Sequence, residues 1–120
     1  MGNAKGQYPR SYDDCPTIAN GKRSPTIANN TRLIWDRFTG QYAVTLHNTA
    51  VVTFCYSGCV VLDSGGWRTT TTKNRINACL PEGFSLCQID YEWWISASDG
   101  MHKFYDGMHL WPTSEGCKVT

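Results

Sequence analysis

A chain of 120 residues is long enough for one domain that buries roughly two thirds of its unfolded surface. Hydrophobic residues at 41% and aromatics at 12% exclude intrinsic disorder, and a net charge of +1 excludes both a polyacidic nucleic-acid mimic and a globally basic coat. No run of eighteen apolar residues occurs and the first eight residues lack the apolar segment of an export signal, so a cytoplasmic protein without membrane contact is expected.

Charge is unevenly spread along the chain. Residues 1–75 carry nine Lys/Arg against four Asp, and residues 76–120 carry two Lys against six Asp/Glu. Such a chain offers one surface to an anion if its halves stay apart in the fold, and none if they interleave.

Residues 1–26 are dominated by Asn, Gly, Lys, Ser and Pro and predict a flexible N-terminal arm outside a single domain over 27–120. One five-residue string occurs twice, as Pro16-Thr17-Ile18-Ala19-Asn20 and as Pro25-Thr26-Ile27-Ala28-Asn29. Two short copies cannot stack into a solenoid, so they read as a local duplication in the arm. From Thr31 the pattern changes to short β-rich runs over 31–37, 42–47, 51–56 and 60–63, separated by turns at 38–41, 48–50 and around Ser57-Gly58. Ser64-Gly65-Gly66 ends this antiparallel meander.

The next stretch changes period, with Ile76, Cys79 and Leu80 at i, i+3 and i+4. It predicts one helix of about ten residues, capped by a Thr at 69–71 and stopped by Pro81 and Gly83. Strand character resumes over 84–90 and 92–97, turns at Ser98-Asp99-Gly100, and returns over 104–111. The predicted fold is α+β: a curled antiparallel β-sheet of about six to seven short strands with one helix packed on it.

Six cysteines, at 15, 55, 59, 79, 87 and 117, are expected to be reduced and mostly to act as small buried hydrophobes. Cys55 and Cys59 could face each other across a hairpin, but structural zinc wants two short-spaced pairs and only this one exists; no metal or cofactor is expected.

The densest chemical feature runs from Gly65 to Arg75. Gly65 and Gly66 let a ligand approach the backbone, Thr69, Thr70 and Thr71 supply hydroxyl donors at a helix start, and Arg68, Lys73 and Arg75 supply countercharge. That combination suits phosphate or sulfate, with Arg68 and Lys73 as leading contacts and Asp63 orienting Arg68 through a bidentate pair. The alternative is structural: the threonines cap the helix, Trp67 is core and the cations are solvated. Adjacent Trp93 and Trp94 must point to opposite faces of a strand, so one ring is expected to be exposed for a base or a partner protein unless both faces are covered. No nucleophile elbow or helical His pair occurs, and a couple between His47 and Cys55 is the one conceivable catalytic pair; a non-enzymatic protein is expected.

Three blocks carry a resemblance: Ile27-Ala28-Asn29-Asn30-Thr31; Leu46-His47-Asn48-Thr49 with Val51-Val52-Thr53-Phe54; and Ser64-Gly65-Gly66-Trp67-Arg68-Thr69 with Thr71-Thr72-Lys73 and Arg75-Ile76-Asn77. Over residues 27–110 the chain resembles a group of small tailed-bacteriophage proteins. The group usually carries a polar hairpin turn with a histidine and a proline where this chain has Cys55 to Cys59. The resemblance implies a phage protein at work in the host cytoplasm and makes the duplicated arm look particular to this chain. The context implies an antagonist of a host protein or ribonucleoprotein complex, such as a CRISPR nuclease or another defence or nucleic-acid-processing assembly; the alternative is a direct binder of nucleic acid or nucleotide phosphate.

Overall fold

The computed structural model describes residues 7–113 and 116–120. Its chain order is α1(Asp14–Ala19), β1(Thr26–Ala28), β2(Thr31–Asp36), β3(Gln41–Leu46), β4(Thr49–Phe54), β5(Val60–Leu62), α2(Thr70–Ala78), β6(Ser85–Ile89), β7(Glu92–Ala97), β8(Gly100–Lys103), β9(Met108–Thr113) and β10(Gly116–Val119). A seven-stranded antiparallel sheet has the order β1-β2-β3-β4-β5-β9-β10, and a second sheet has the order β6-β7-β8.

The large sheet forms because alternate residues of its strands are apolar. Leu33, Val44, Leu46, Val52, Phe54, Val60 and Leu62 are buried, as period-two patterning requires of a half-covered sheet. One irregularity modifies this. Val44 pairs with Val52 but Thr45 pairs with Ala50, so Val51 is an extra residue in β4, and the bulge lets Val51 and Val52 both reach the interior.

α2 crosses from the large sheet to the small one. Thr69 caps it, its hydroxyl accepting from the Thr72 amide at 3.2 Å, and Ile76, Cys79 and Leu80 are fully buried as their spacing predicts. The Asn77 amide then ties the helix to β6, donating to the Leu86 carbonyl at 2.7 Å and accepting from the Leu86 amide at 2.9 Å. Leu86, Trp93, Ile95 and Phe104 of the second layer share one core with the large sheet and α2.

The α+β antiparallel character matches the sequence reading, but the arrangement differs in three respects. There are two helices among the described residues, not one, and the strands divide into two sheets because α2 interrupts the meander. Strands β1, β8 and β10 are additional; none has more than four residues, too few for a period to show.

The third difference concerns residues 7–26, expected to belong to an arm. They carry α1, whose Cys15 and Ala19 lie in the core, and two long-range bonds fasten them: Arg10 Nη1 donates to the Leu80 carbonyl at 3.0 Å and the Tyr12 hydroxyl to the Gly40 carbonyl at 3.0 Å. Residues 1–6 of that arm lie outside the described residues. Cys15, Cys55, Cys59, Cys79 and Cys87 are free thiols, with Cys15, Cys59 and Cys79 buried; the side chain of Cys117 lies outside the described residues.

Candidate functional site

Alternate turns of an antiparallel meander fall at the same end of the sheet. The β1–β2 turn at Asn29-Asn30, the β3–β4 turn at His47-Asn48 and the loop leaving β5 at 63–69 therefore meet, and α2 begins beside them. The His47 amide donates to the Asn30 carbonyl at 2.7 Å and fixes the first two turns together. His47 has φ 56° and Asn30 φ 53°, left-handed conformations that His and Asn tolerate better than most side chains.

The 64–69 loop closes against β4 through Gly65. At φ 62° a side chain there would be strained, and a Cβ would lie 2.6 Å from Thr49 Cγ2, so only glycine permits this approach. Ser64, buried, organises the rest: its amide and hydroxyl both donate to Asp106 Oδ1 at 2.8 Å, while its oxygen accepts from the Gly66 amide and from Arg68 Nε at 3.2 Å each. The result holds Trp67 outward.

Between these turns lies a cleft of about 720 Å³ lined by Asn29, Asn30, Leu46, His47, Asn48, Thr49, Val51, Ser64, Trp67, Thr69, Thr71, Thr72 and Arg75. Each of the three sequence blocks that carry the phage resemblance contributes to its wall.

The predicted site residues are distributed unequally around this cleft. Thr69, Thr71 and Arg75 line it, whereas Gly65, Gly66, Arg68, Thr70 and Lys73 are not among its lining residues. Arg68 turns away to the second sheet, its guanidinium carbon 5.3 Å from the Trp93 ring centroid and 4.8 Å from that of Phe104, and Asp63 accepts instead from the Gly65 amide at 2.7 Å. The expected pairing of Asp63 with Arg68 is therefore replaced by a cation–π contact that joins two layers. Lys73 Nζ donates to Gln88 Oε1 of β6 at 3.2 Å. The three cations fan out because helical spacing points residues 73 and 75 in different directions, while Arg68 precedes the helix altogether.

Arg75 is the cation of the cleft. Its Nε donates to the Thr31 hydroxyl at 2.9 Å and its Nη2 to the Asn29 carbonyl at 3.4 Å, leaving Nη1 without a protein acceptor among the described residues. The threonines divide their work: Thr69 and Thr72 share a 3.0 Å hydroxyl contact inside the cap, and Thr71 is exposed on the cleft.

The exposed tryptophan is neither of the expected pair. Trp93 is 3% exposed and packs edge-on against Phe104, Trp94 is half-buried, and Trp67 is 66% exposed on the cleft wall. The Trp93 face of β7 is buried in the core and the Trp94 face is only partly covered, whereas Trp67 sits on a loop that Gly65 and Gly66 push out of the core. Counting turns along the meander would have indicated Asn29, Asn30, His47 and Asn48, since the end of the sheet they share follows from strand order alone.

The conceivable His47–Cys55 couple does not form. The two residues flank opposite ends of β4, roughly 20 Å apart for a six-residue strand. Burial, then the Cys59 contact, pushes the Cys55 thiol up to about 11, so it stays protonated near neutrality. Among the described residues no three His, Cys, Asp or Glu side chains cluster as a metal site, and no helix is long and apolar enough to cross a membrane. The cleft offers a guanidinium, hydroxyl and amide groups, and one exposed indole.

A family model described as Kyanoviridae Gp96 protein matches residues 11–111. The match starts within the segment expected to be particular to this chain, so α1 and both copies of the repeated pentapeptide belong to the shared region. No curated protein and no solved structure matches the chain.

Proposed function

We propose that this chain, which belongs to the Kyanoviridae Gp96 protein family of tailed phages, is a non-catalytic binding protein whose cleft takes a phosphate-bearing component of nucleic acid. One observation carries the reading: Trp67, exposed, and Arg75, with a free donor, share the wall of a cleft of about 720 Å³. Indole faces stack on bases and guanidinium groups recognise phosphate, so the pair suits a ligand that has both. Binding in the host cytoplasm would withhold that ligand from a defence or nucleic-acid-processing complex.

The test is a purification from host lysate at two salt concentrations with the wild type and Trp67→Leu. A phosphate-bearing molecule that copurifies with the wild type and is depleted from the variant supports the reading. Equal recovery from both removes the cleft from it.

A second reading has its own observation. Tyr91, 94% exposed, stands with Ile89 at the β6–β7 hairpin, a projecting aromatic of the kind that anchors protein interfaces. In this reading the protein inhibits a host protein or ribonucleoprotein complex, for example a CRISPR nuclease, by direct occlusion. Tyr91→Ala would then abolish inhibition in a nuclease assay while leaving cleft binding unchanged; retained inhibition would exclude it.

A further inference from the structure

We infer that the cleft is built for a single free nucleotide and not for a nucleic-acid strand, with the base stacked on Trp67 and the phosphate against Arg75. This rests on the reading of the cleft as a phosphate-bearing ligand site and narrows it.

The distribution of charge carries the argument. A protein that follows a strand neutralises successive phosphates with a track of cations, and its affinity draws on each of them. Here Arg68 lies across Trp93 and Phe104, Lys73 reaches Gln88 on the second sheet, and Arg75 alone of the three lines the cleft. With a net charge of +1 the chain has no general attraction for polyanions to substitute for the missing track. One guanidinium matches one phosphate group.

Shape agrees with charge. The cleft, at about 720 Å³, lies within the roughly 300–1,000 Å³ usual for small-molecule sites. Its walls are the 29–30 turn, the 47–48 turn, the 64–69 loop and the start of α2, four separate elements converging on one concavity.

Arg75 is also set in advance. Its two bonds, to Thr31 Oγ1 and the Asn29 carbonyl, hold the guanidinium plane, so little rotamer freedom remains to be lost when a phosphate arrives. Thr71 adds a hydroxyl at the first turn of α2, where unpaired backbone amides also favour an anion. On the other side Asn30, His47 and Asn48 provide donors and acceptors suited to the polar edge of a base held on the indole.

The experiment titrates the purified full chain with adenosine 5′-monophosphate, guanosine 5′-monophosphate, adenosine, inorganic phosphate and a twelve-nucleotide single strand, at 50 and 200 mM salt. The expected result is saturable binding of at least one mononucleotide that weakens at most about threefold between the two salts, against roughly fiftyfold for a strand held at four phosphates. Trp67→Leu should lower mononucleotide affinity about fivefold or more. Arg75→Gln should abolish the preference for the mononucleotide over adenosine, and Arg75→Lys should restore part of it. Should Arg75→Gln disturb the β1–β2 turn, as a lowered melting temperature would reveal, Trp67→Leu decides alone, because that side chain is exposed.

A strand bound more than tenfold tighter than either mononucleotide, with a steep salt slope and sensitivity to Trp67→Leu, overturns this inference and leaves the wider reading of the cleft standing. Silence of every probe overturns both. Binding of inorganic phosphate as tight as that of the mononucleotides, unaffected by Trp67→Leu, overturns the role given to the indole.

Discussion

Residues 16–20 and 25–29 have the same five side chains in the same order and adopt opposite structures. The first copy forms the body of α1 and ends with Asn20 in the left-handed conformation at φ 51°; the second is β1 and pairs with β2. Their buried faces differ too, since Ala19 is core and Ile18 half-buried in the helix, whereas Ile27 is core and Ala28 half-buried in the strand. Identical propensity therefore decided nothing.

The neighbours decided. Before the first copy, Ser11 and Asp14 close an entry turn: the Asp14 amide donates to Ser11 Oγ at 3.3 Å, and Asp14 Oδ2 accepts from the Arg10 amide at 3.0 Å. Pro16 then falls in the first helical turn, where its missing N–H is no loss, and its carbonyl accepts from the Asn20 amide at 3.0 Å. The second copy lacks such a turn and has a partner. Pro25 offers its carbonyl to the Leu33 amide at 3.0 Å, and the Asn29-Asn30 turn folds β2 back along β1. A six-residue helix and a three-residue strand are both too short to persist alone, so each depends on what it packs against.

The largest expected effect comes from removing the first copy altogether. Deleting residues 1–22 exposes the cavity left by Cys15 and Ala19 and should cost about 3 kcal/mol or more, read from the urea midpoint. An unchanged midpoint would show that residues 7–22 behave as a detachable arm after all.

Within the copies, Ile27→Ala should cost about 3 kcal/mol and Ile18→Ala about 1 kcal/mol, because only Ile27 is fully enclosed. Equal costs would break the assignment of opposite buried faces.

The residue before each proline gives a pH signature. Cys15 is pushed up to about 12, chiefly by burial and then by Asp14 and Cys79, and burial pushes Cys79 up to about 12 as well. The unfolded thiols ionise near 9 while the folded ones do not, so stability is fully present below pH 9 and falls as pH rises towards 12. The fall should be about 1.4 kcal/mol per pH unit for each thiol. Cys15→Ser should remove one thiol's share of that slope in an alkaline denaturation series, whereas Ser24→Ala, before the second copy, should leave the slope unchanged.

A smaller effect separates the two asparagines. Asn20→Val puts a β-branched residue at positive φ and should cost about 1–2 kcal/mol, whereas Asn29→Val, outside that conformation, should stay within about 0.5 kcal/mol by thermal melting. Smallest of all, synthetic peptides spanning 10–22 and 22–34 should give indistinguishable coil spectra by circular dichroism; persistent helix in the first alone would assign the difference to local sequence after all.

Much of the fold was legible in the residues. The strands between 31 and 62, the cap at Thr69, the burial of Ile76, Cys79 and Leu80 and the strand at 92–97 follow from alternation, hydroxyl capping and helical spacing. The Ser11-x-x-Asp14 spacing before a proline was a helix signal too, obscured because the surrounding residues look like a tail. The candidate site was legible in part: Thr69, Thr71 and Arg75 do line a cleft, but Arg68 and Lys73 do not. No sequence pattern says that an arginine before a helix will prefer two aromatic faces on another sheet to a carboxylate five residues upstream.

The sequence by itself determined the antiparallel meander, the start of its main helix and the collection of alternate turns at one end, because these depend on short-range periodicity and on strand order. Tertiary structure decided which tryptophan remained in water and which cation faced the cleft, and it held each copy of the pentapeptide in the structure that its flanking residues began. The placements of Arg68 and Arg75 depend on partners tens of residues away, Trp93 and Phe104 for the one and Thr31 for the other, which no local preference specifies.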